Sequence, residues 1–177
     1  MENWVRNEVV YEGKVVRLRV GDAEIHDGSH QPREVVEHPG GVAVTPYHDG
    51  KVFLVRQYRI AVDKHVLELP AGRLEGTEDP ASRAHAELEE EIGYKAGRLV
   101  HVASCYCSPG FCNELDHIYL AFDLTKTEAK PEFDEQIEIV ELDLEQIRKG
   151  LEQNGFEDMK TVVGLRELLV HLEQEGR

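Results

Sequence analysis

The first seventy residues alternate apolar and polar positions in short runs, the period of β-strands. Val9–Ile25 (VVYEGKVVRLRVGDAEI) is β-rich and broken at Gly13 and Gly21, and His26–Pro32 (HDGSHQP) predicts a turn. Arg33–Arg59 predicts three further strands, punctuated by Pro39-Gly40 and by Asp49-Gly50, a dipeptide suited to a tight hairpin. Val66–Pro70 is a short strand running into the Gly72 turn. The period then changes. Asp79 is a good N-cap, Pro80 suits the first helical position, Ala81, Ala84, Ala86 and Leu88 favour helix, and Gly93 ends it. Gly97–Cys107, Glu114–Leu124 and Gln136–Asp143 predict strands, and Leu144–Leu151 and Asp158–Gln174 predict helices. In the last helix Val162, Val163, Leu165, Leu168, Leu169 and Leu172 form an apolar stripe of core type. Strands and helices in this order predict an α+β fold, a sheet covered by helices.

Composition narrows the function. A chain of 177 residues suits one domain with a full core and a small extension. Lys plus Arg number 20 against 35 Asp plus Glu, a net charge of −15. So acidic a chain is a poor partner for nucleic acid or anionic membrane, and neither is expected. A small anionic substrate is compatible if metal ions and a few arginines make the site locally positive. There is no apolar run long enough to span a bilayer, and MENWVRNEVV lacks the apolar core of a signal peptide. The odd number of cysteines (Cys105, Cys107, Cys112) suits reduced thiols, so a cytoplasmic location is expected. The alternative for them is a zinc site with His101 or His117, which neither a CxxC spacing nor a His pair supports.

The most informative stretch is Gly72–Tyr94. Glu87, Glu90 and Glu91 are three and four residues apart and share one helix face, where like charges repel. They stand near the helix C-terminus, the negative pole of its dipole. A cation between them resolves the conflict, and hard oxygen ligands suit Mg²⁺ or Mn²⁺; a solvated acidic face is the alternative. Gly72, Glu78, Glu87, Leu88, Glu90, Glu91 and Gly93, in this spacing, resemble the Nudix box, the loop–helix–loop signature of the Nudix hydrolases. One position departs: the family has an arginine immediately before its first metal-binding glutamate, orienting the neighbouring glutamates, and this chain has Ala86. Arg83, one turn before Glu87 on the same face, is the candidate replacement, with an ordinary surface ion pair as its alternative.

Outside the box, REVVEHPGGVAV (33–44), VRQYR (55–59), ELPAG (68–72) and SPGFCNE (108–114) resemble the ADP-ribose pyrophosphatase branch. The resemblance implies a Nudix-type α/β/α sandwich with a mixed central sheet over residues 39–177. It also implies a short N-terminal β extension over residues 1–38 that exchanges between subunits and builds a homodimer. The implied reaction is hydrolysis of ADP-ribose to AMP and ribose 5-phosphate by metal-activated water, with two or three Mg²⁺ ions per site and Mn²⁺ as the alternative metal. Glu87 and Glu91 are then catalytic metal ligands, Glu90 bridges or lies close by, and the Ala71 carbonyl supplies a further oxygen where Gly72 lets the backbone approach. Glu135 is the expected base, with Glu132 and Asp134 as alternatives. Arg59 matches the phosphate-binding arginine; Arg56 ranks below it, since only a bulge brings both to one strand face. Glu114 resembles a ribose-binding residue, Glu75 contacts substrate or metal, Arg33 and Glu34 reach across the dimer, and Trp4 or Tyr11 is a candidate for stacking on adenine. Two alternatives stand beside this one: a hydrolase of another nucleoside diphosphate sugar such as GDP-mannose, and a sensor that binds ADP-ribose without turnover. Such sensors usually lack the box carboxylates that this chain keeps.

Overall fold

The structure, a computed structural model, describes residues 1–129 and 136–176. It divides into two compact units, Met1–Gly40 with Cys105–Leu115, and Gly41–Ser104 with Asp116–Arg177.

In the first unit β1 (Asn3–Glu12), β2 (Arg17–Glu24) and β3 (His30–Glu37) form an antiparallel sheet in that order. Two local signals in the sequence are overridden here. Gly21 does not break the chain but lies inside β2 opposite Asn7, and a Cβ there would come within 2.7 Å of the Asn7 Cα. The glycine therefore lets two strands close beside the register shift between Trp4 and Arg6. Pro32 does not end the turn but sits within β3, whose free edge in this sheet needs no N–H. The segment Cys105–Leu115 is fixed to β3, with Val36 N donating to the Phe111 carbonyl at 2.7 Å and Asn113 N to the Val36 carbonyl at 3.2 Å. β1 exposes Trp4, Val5, Val10 and Tyr11.

The second unit holds β4 (Gly41–His48), β5 (Lys51–Arg59), β6 (Lys64–Glu68), β7 (Ala71–Arg73), α1 (Pro80–Ile92), β8 (Tyr94–Tyr106), β9 (Leu115–Lys126), β10 (Glu138–Asp143), α2 (Leu144–Glu152) and α3 (Met159–Gln174). The sheet order is β10-β5-β4-β9-β8, with β6 beside β5 and β7 beside β4. β4 and β9 run parallel while β5 is antiparallel to β4, β6 and β10, so the sheet is mixed. The β4–β5 hairpin turns on Asp49 and Gly50, both at positive φ (49° and 80°), the conformation a two-residue hairpin loop demands. One sheet face packs Val42, Val44 and Val55 against Ala84, Leu88 and Ile92 of α1. The other packs Leu54 and Leu120 against Ile147 of α2 and Leu165, Leu168 and Leu172 of α3. The stripe on α3 is therefore core except at Val163, which is partly exposed. Among the described residues no helix is long and apolar enough to cross a membrane.

Candidate active site

α1 is bounded as its sequence predicts. The Asp79 carboxylate accepts from Ser82 N at 3.0 Å, Pro80 opens the helix, and Gly93 closes it at φ 70° with its N–H on the Glu89 carbonyl. The helix lies against the turn between β6 and β7. Ala71 N donates to Glu91 Oε2 at 3.2 Å, and Val44 N holds the Pro70 carbonyl at 2.9 Å. Gly72 pairs with Val42, and a Cβ on residue 72 would overlap the Glu87 carboxylate. Glu87 and Glu91 are only 4% and 5% exposed, whereas Glu90 is half-buried at the rim. Burying carboxylates is costly unless positive charge or donors answer them. Two buried acids against a peptide turn stripped of its side chain make a donor set that fits a hard divalent cation.

Positive charge does reach the helix. The Arg83 guanidinium pairs with Glu87 and approaches Glu90 at 3.7 Å, and its side chain is only 22% exposed. Burial is the largest influence on Arg83 and pulls its pKa down, but Glu87, Glu90 and Glu78 outweigh it and raise the pKa above its ordinary value. The arginine thus spans box glutamates from one turn upstream, with Ala86 in the usual arginine position.

Behind the turn lies a second charged group that sequence reasoning largely missed. Arg59 forks onto Glu68, Nε to Oε1 at 2.7 Å and Nη2 to Oε2 at 2.9 Å. That hydrogen bond is the main reason the Arg59 pKa lies above its ordinary value. Glu68 and Asp116 are buried, and Asp116 lies where a Cβ on Gly41 would come within 2.6 Å of its carboxylate and 3.1 Å of the Gly72 carbonyl. Lys160, in the first turn of α3, pairs with Asp158 at 2.9 Å and also feels Asp116 and Glu68. Glu68 opens the ELPAG segment, and both Glu68 and Asp116 put a charge at a position of the alternating pattern otherwise filled by apolar residues; Lys160 carries no such signal.

The other expected residues fall elsewhere. Arg56 does not join Arg59: the β5–β6 register runs unshifted from Val55 to Arg59, so the two point to opposite faces, and Arg56 approaches Glu138 at 3.6 Å beside a hollow shared with His65 and Glu157. Glu75 is exposed, its N–H donating to Glu78 Oε2 at 3.3 Å. In the first unit Glu114 approaches His38 Nδ1 at 3.3 Å, Arg33 forks onto Glu2 at 2.7 and 2.8 Å, and Glu34 is exposed on β3. His101 Nε2 and His117 Nδ1 each lie 2.9 Å from Ser104 Oγ. Glu135, with Glu132 and Asp134, lies outside the described residues.

A mixed sheet covered by helices, with an acidic helix seated on a turn opened by a glycine, is the frame of a hydrolase of phosphate anhydrides. The NUDIX domain family model matches residues 37–163, and the chain belongs to the Nudix family. An ADP-ribose pyrophosphatase from Bacillus subtilis (strain 168) is 40% identical over 170 residues, 94% of this chain and 92% of that protein. A methanol dehydrogenase activator from Bacillus methanolicus is 38% identical over 170 residues, with 94% and 92% covered. Among solved structures, an ADP compounds hydrolase matches with a TM-score of 0.88 at 22% identity, covering 99% of this chain and 96% of that chain, a likeness of fold.

Proposed function

We propose that this Nudix hydrolase cleaves the pyrophosphate bond of ADP-ribose, giving AMP and ribose 5-phosphate. The observation that carries the reading is the docking of Glu87 and Glu91 onto the Ala71-Gly72 turn. The relative named ADP-ribose pyrophosphatase, matched over nearly the whole chain, supports the substrate. Bound divalent ions, two or three Mg²⁺ or alternatively Mn²⁺, would be held by Glu87, Glu91, Glu90 and the Ala71 carbonyl, and would supply neutralisation of phosphoryl oxygens and a lowered pKa for a water. Glu135 is assigned the proton of the attacking water, whose oxygen adds to phosphorus as the anhydride P–O bond breaks. Arg59, charged and already oriented by Glu68, faces the phosphates. Glu75 and Glu114 contact the substrate, and Arg33 and Glu34 do so from a second subunit. The apolar side chains exposed on β1 support a homodimer built through residues 1–38, and the reduced thiols of Cys105, Cys107 and Cys112 suit the cytoplasm.

A panel of ADP-ribose, GDP-mannose, NADH and diadenosine polyphosphates, assayed with Mg²⁺ and with Mn²⁺, tests the reading. ADP-ribose should show the highest kcat/KM, and light scattering on the same preparation should give about twice the 20.1 kDa chain mass. A GDP-mannose optimum would transfer the activity to that sugar nucleotide, and ADP-ribose binding without product would make the protein a sensor.

Arg83 is assigned the task of the missing box arginine, orienting Glu87 and Glu90. Arg83→Ala should lower kcat by about 10-fold, the cost of losing a partner that orients metal ligands. Unchanged kcat at saturating Mg²⁺ would reduce Arg83 to a surface ion pair.

A further inference from the structure

The turn that carries the Ala71 carbonyl is held from α1 through Glu91 and from β4 through Val44. A third hold comes from the first turn of α3, about ninety residues away along the chain and outside the sequence motif. Leu69 N donates to Thr161 Oγ1 at 2.9 Å, and Thr161 is fully buried. A hydroxyl has a single proton, and Thr161 gives it to Asp158 Oδ2 at 2.7 Å, so a lone pair is left facing the Leu69 N–H. Asp158 Oδ2 also takes the Thr161 N–H at 2.9 Å, and its Oδ1 takes Lys160 Nζ at 2.9 Å.

This is more than a helix cap. Capping requires only the Asp158 carboxylate and a backbone N–H. A lysine in the first turn opposes the helix dipole, and this one is largely buried as well. What holds it is carboxylate charge: the ion pair with Asp158 on its own element, and the attraction of Asp116 and Glu68 on the sheet. Burial pushes the Asp158 carboxyl up, but Lys160 and the Thr161 donors outweigh it and keep it below the ordinary carboxylate range, so it stays an acceptor at neutral pH.

We infer that Lys160, Asp158 and Thr161 are positioning residues for the metal cage: the Thr161 hydroxyl, oriented by a carboxylate that Lys160 clamps, fixes the Leu69 amide and with it the Ala71 carbonyl two residues on. The inference rests on Ala71 being a metal ligand, as proposed above.

The test is Mn²⁺ binding to the full chain, read from loss of the free-ion EPR signal, with thermal melting in EDTA alongside. Thr161→Val keeps the side-chain shape and removes the relay, and its Mn²⁺ dissociation constant should rise about 10-fold. Thr161→Ser, which restores the hydroxyl, should return to the wild-type value. A Thr161→Val protein that melts lower in EDTA yet binds Mn²⁺ as wild type does would overturn the inference, leaving the relay purely structural. Should that variant not fold, Lys160→Met decides in the same way, weaker Mn²⁺ binding supporting the relay and unchanged binding overturning it. A wild-type chain that binds no Mn²⁺ would overturn the cage itself and this inference with it.

Discussion

Glu91→Gln should lower kcat on the order of 10³-fold, because it removes a carboxylate that would hold the divalent ions whose charge neutralises phosphoryl oxygens. Glutamine is the right probe. Its carbonyl can still accept from Ala71 N, which donates to Glu91 Oε2 at 3.2 Å, so the turn keeps its shape. What is lost is negative charge at a site only 5% exposed, one helical turn from Glu87 and at the negative pole of α1. Without metal these carboxylates repel each other, while Arg83 attracts Glu87 and Glu90 and Arg59 attracts Glu91. The substitution removes a repulsion and an attraction together and keeps the turn contact, so melting in EDTA should leave Glu91→Gln close to wild type, while kinetics at saturating Mg²⁺ show the loss. A variant that melts several degrees lower with nearly normal kcat would make Glu91 a structural residue and displace the metal site.

The parts of this fold that the sequence makes legible depend on neighbours a few residues apart. Asp79, Pro80 and Gly93 bound α1 through local hydrogen bonds and backbone angles, and Arg83 meets Glu87 because a helix brings i and i+4 together. Strand alternation separates Arg56 from Arg59 before any coordinates are known, and the unshifted β5–β6 register keeps them apart. Gly21 and Pro32 mislead for the complementary reason: each is a local turn signal whose meaning is changed by the strand beside it. The charged layer behind the Ala71 turn is illegible in the same sense. Arg59 finds Glu68 only once β5 and β6 pair, and Thr161 meets Leu69 across 92 positions of chain. Lysine in the first turn of an amphipathic helix reads as a solvated charge until the sheet brings it under the attraction of Asp116 and Glu68. The motif supplies the carboxylates, and the tertiary structure supplies what holds the opposing turn in place.

Gly72→Ala should lower kcat by about 10²-fold, the usual cost of displacing a catalytic group by about 1 Å. The backbone itself accepts alanine, since residue 72 lies in β7 with strand geometry. The obstacle is Glu87, whose carboxylate occupies the space a methyl would fill and whose Cγ would lie 2.8 Å from it. Neither partner can retreat easily. Gly72 is paired with Val42 and flanked by Ala71, whose N–H is on Glu91, while α1 is anchored by the fully buried Ala84 and Leu88. The relief available is rotation of the Glu87 side chain, which takes its carboxylate off the turn and away from Arg83. Crowding of this kind also costs about 1–3 kcal/mol of stability. Urea unfolding of a double-mutant cycle separates the two effects. In a Glu87→Ala background the three atoms nearest to the methyl are gone, so Gly72→Ala should cost little stability there and most of that range in the wild-type background. An equal cost in both backgrounds would place the strain in the β7 backbone and remove the steric link between Gly72 and Glu87.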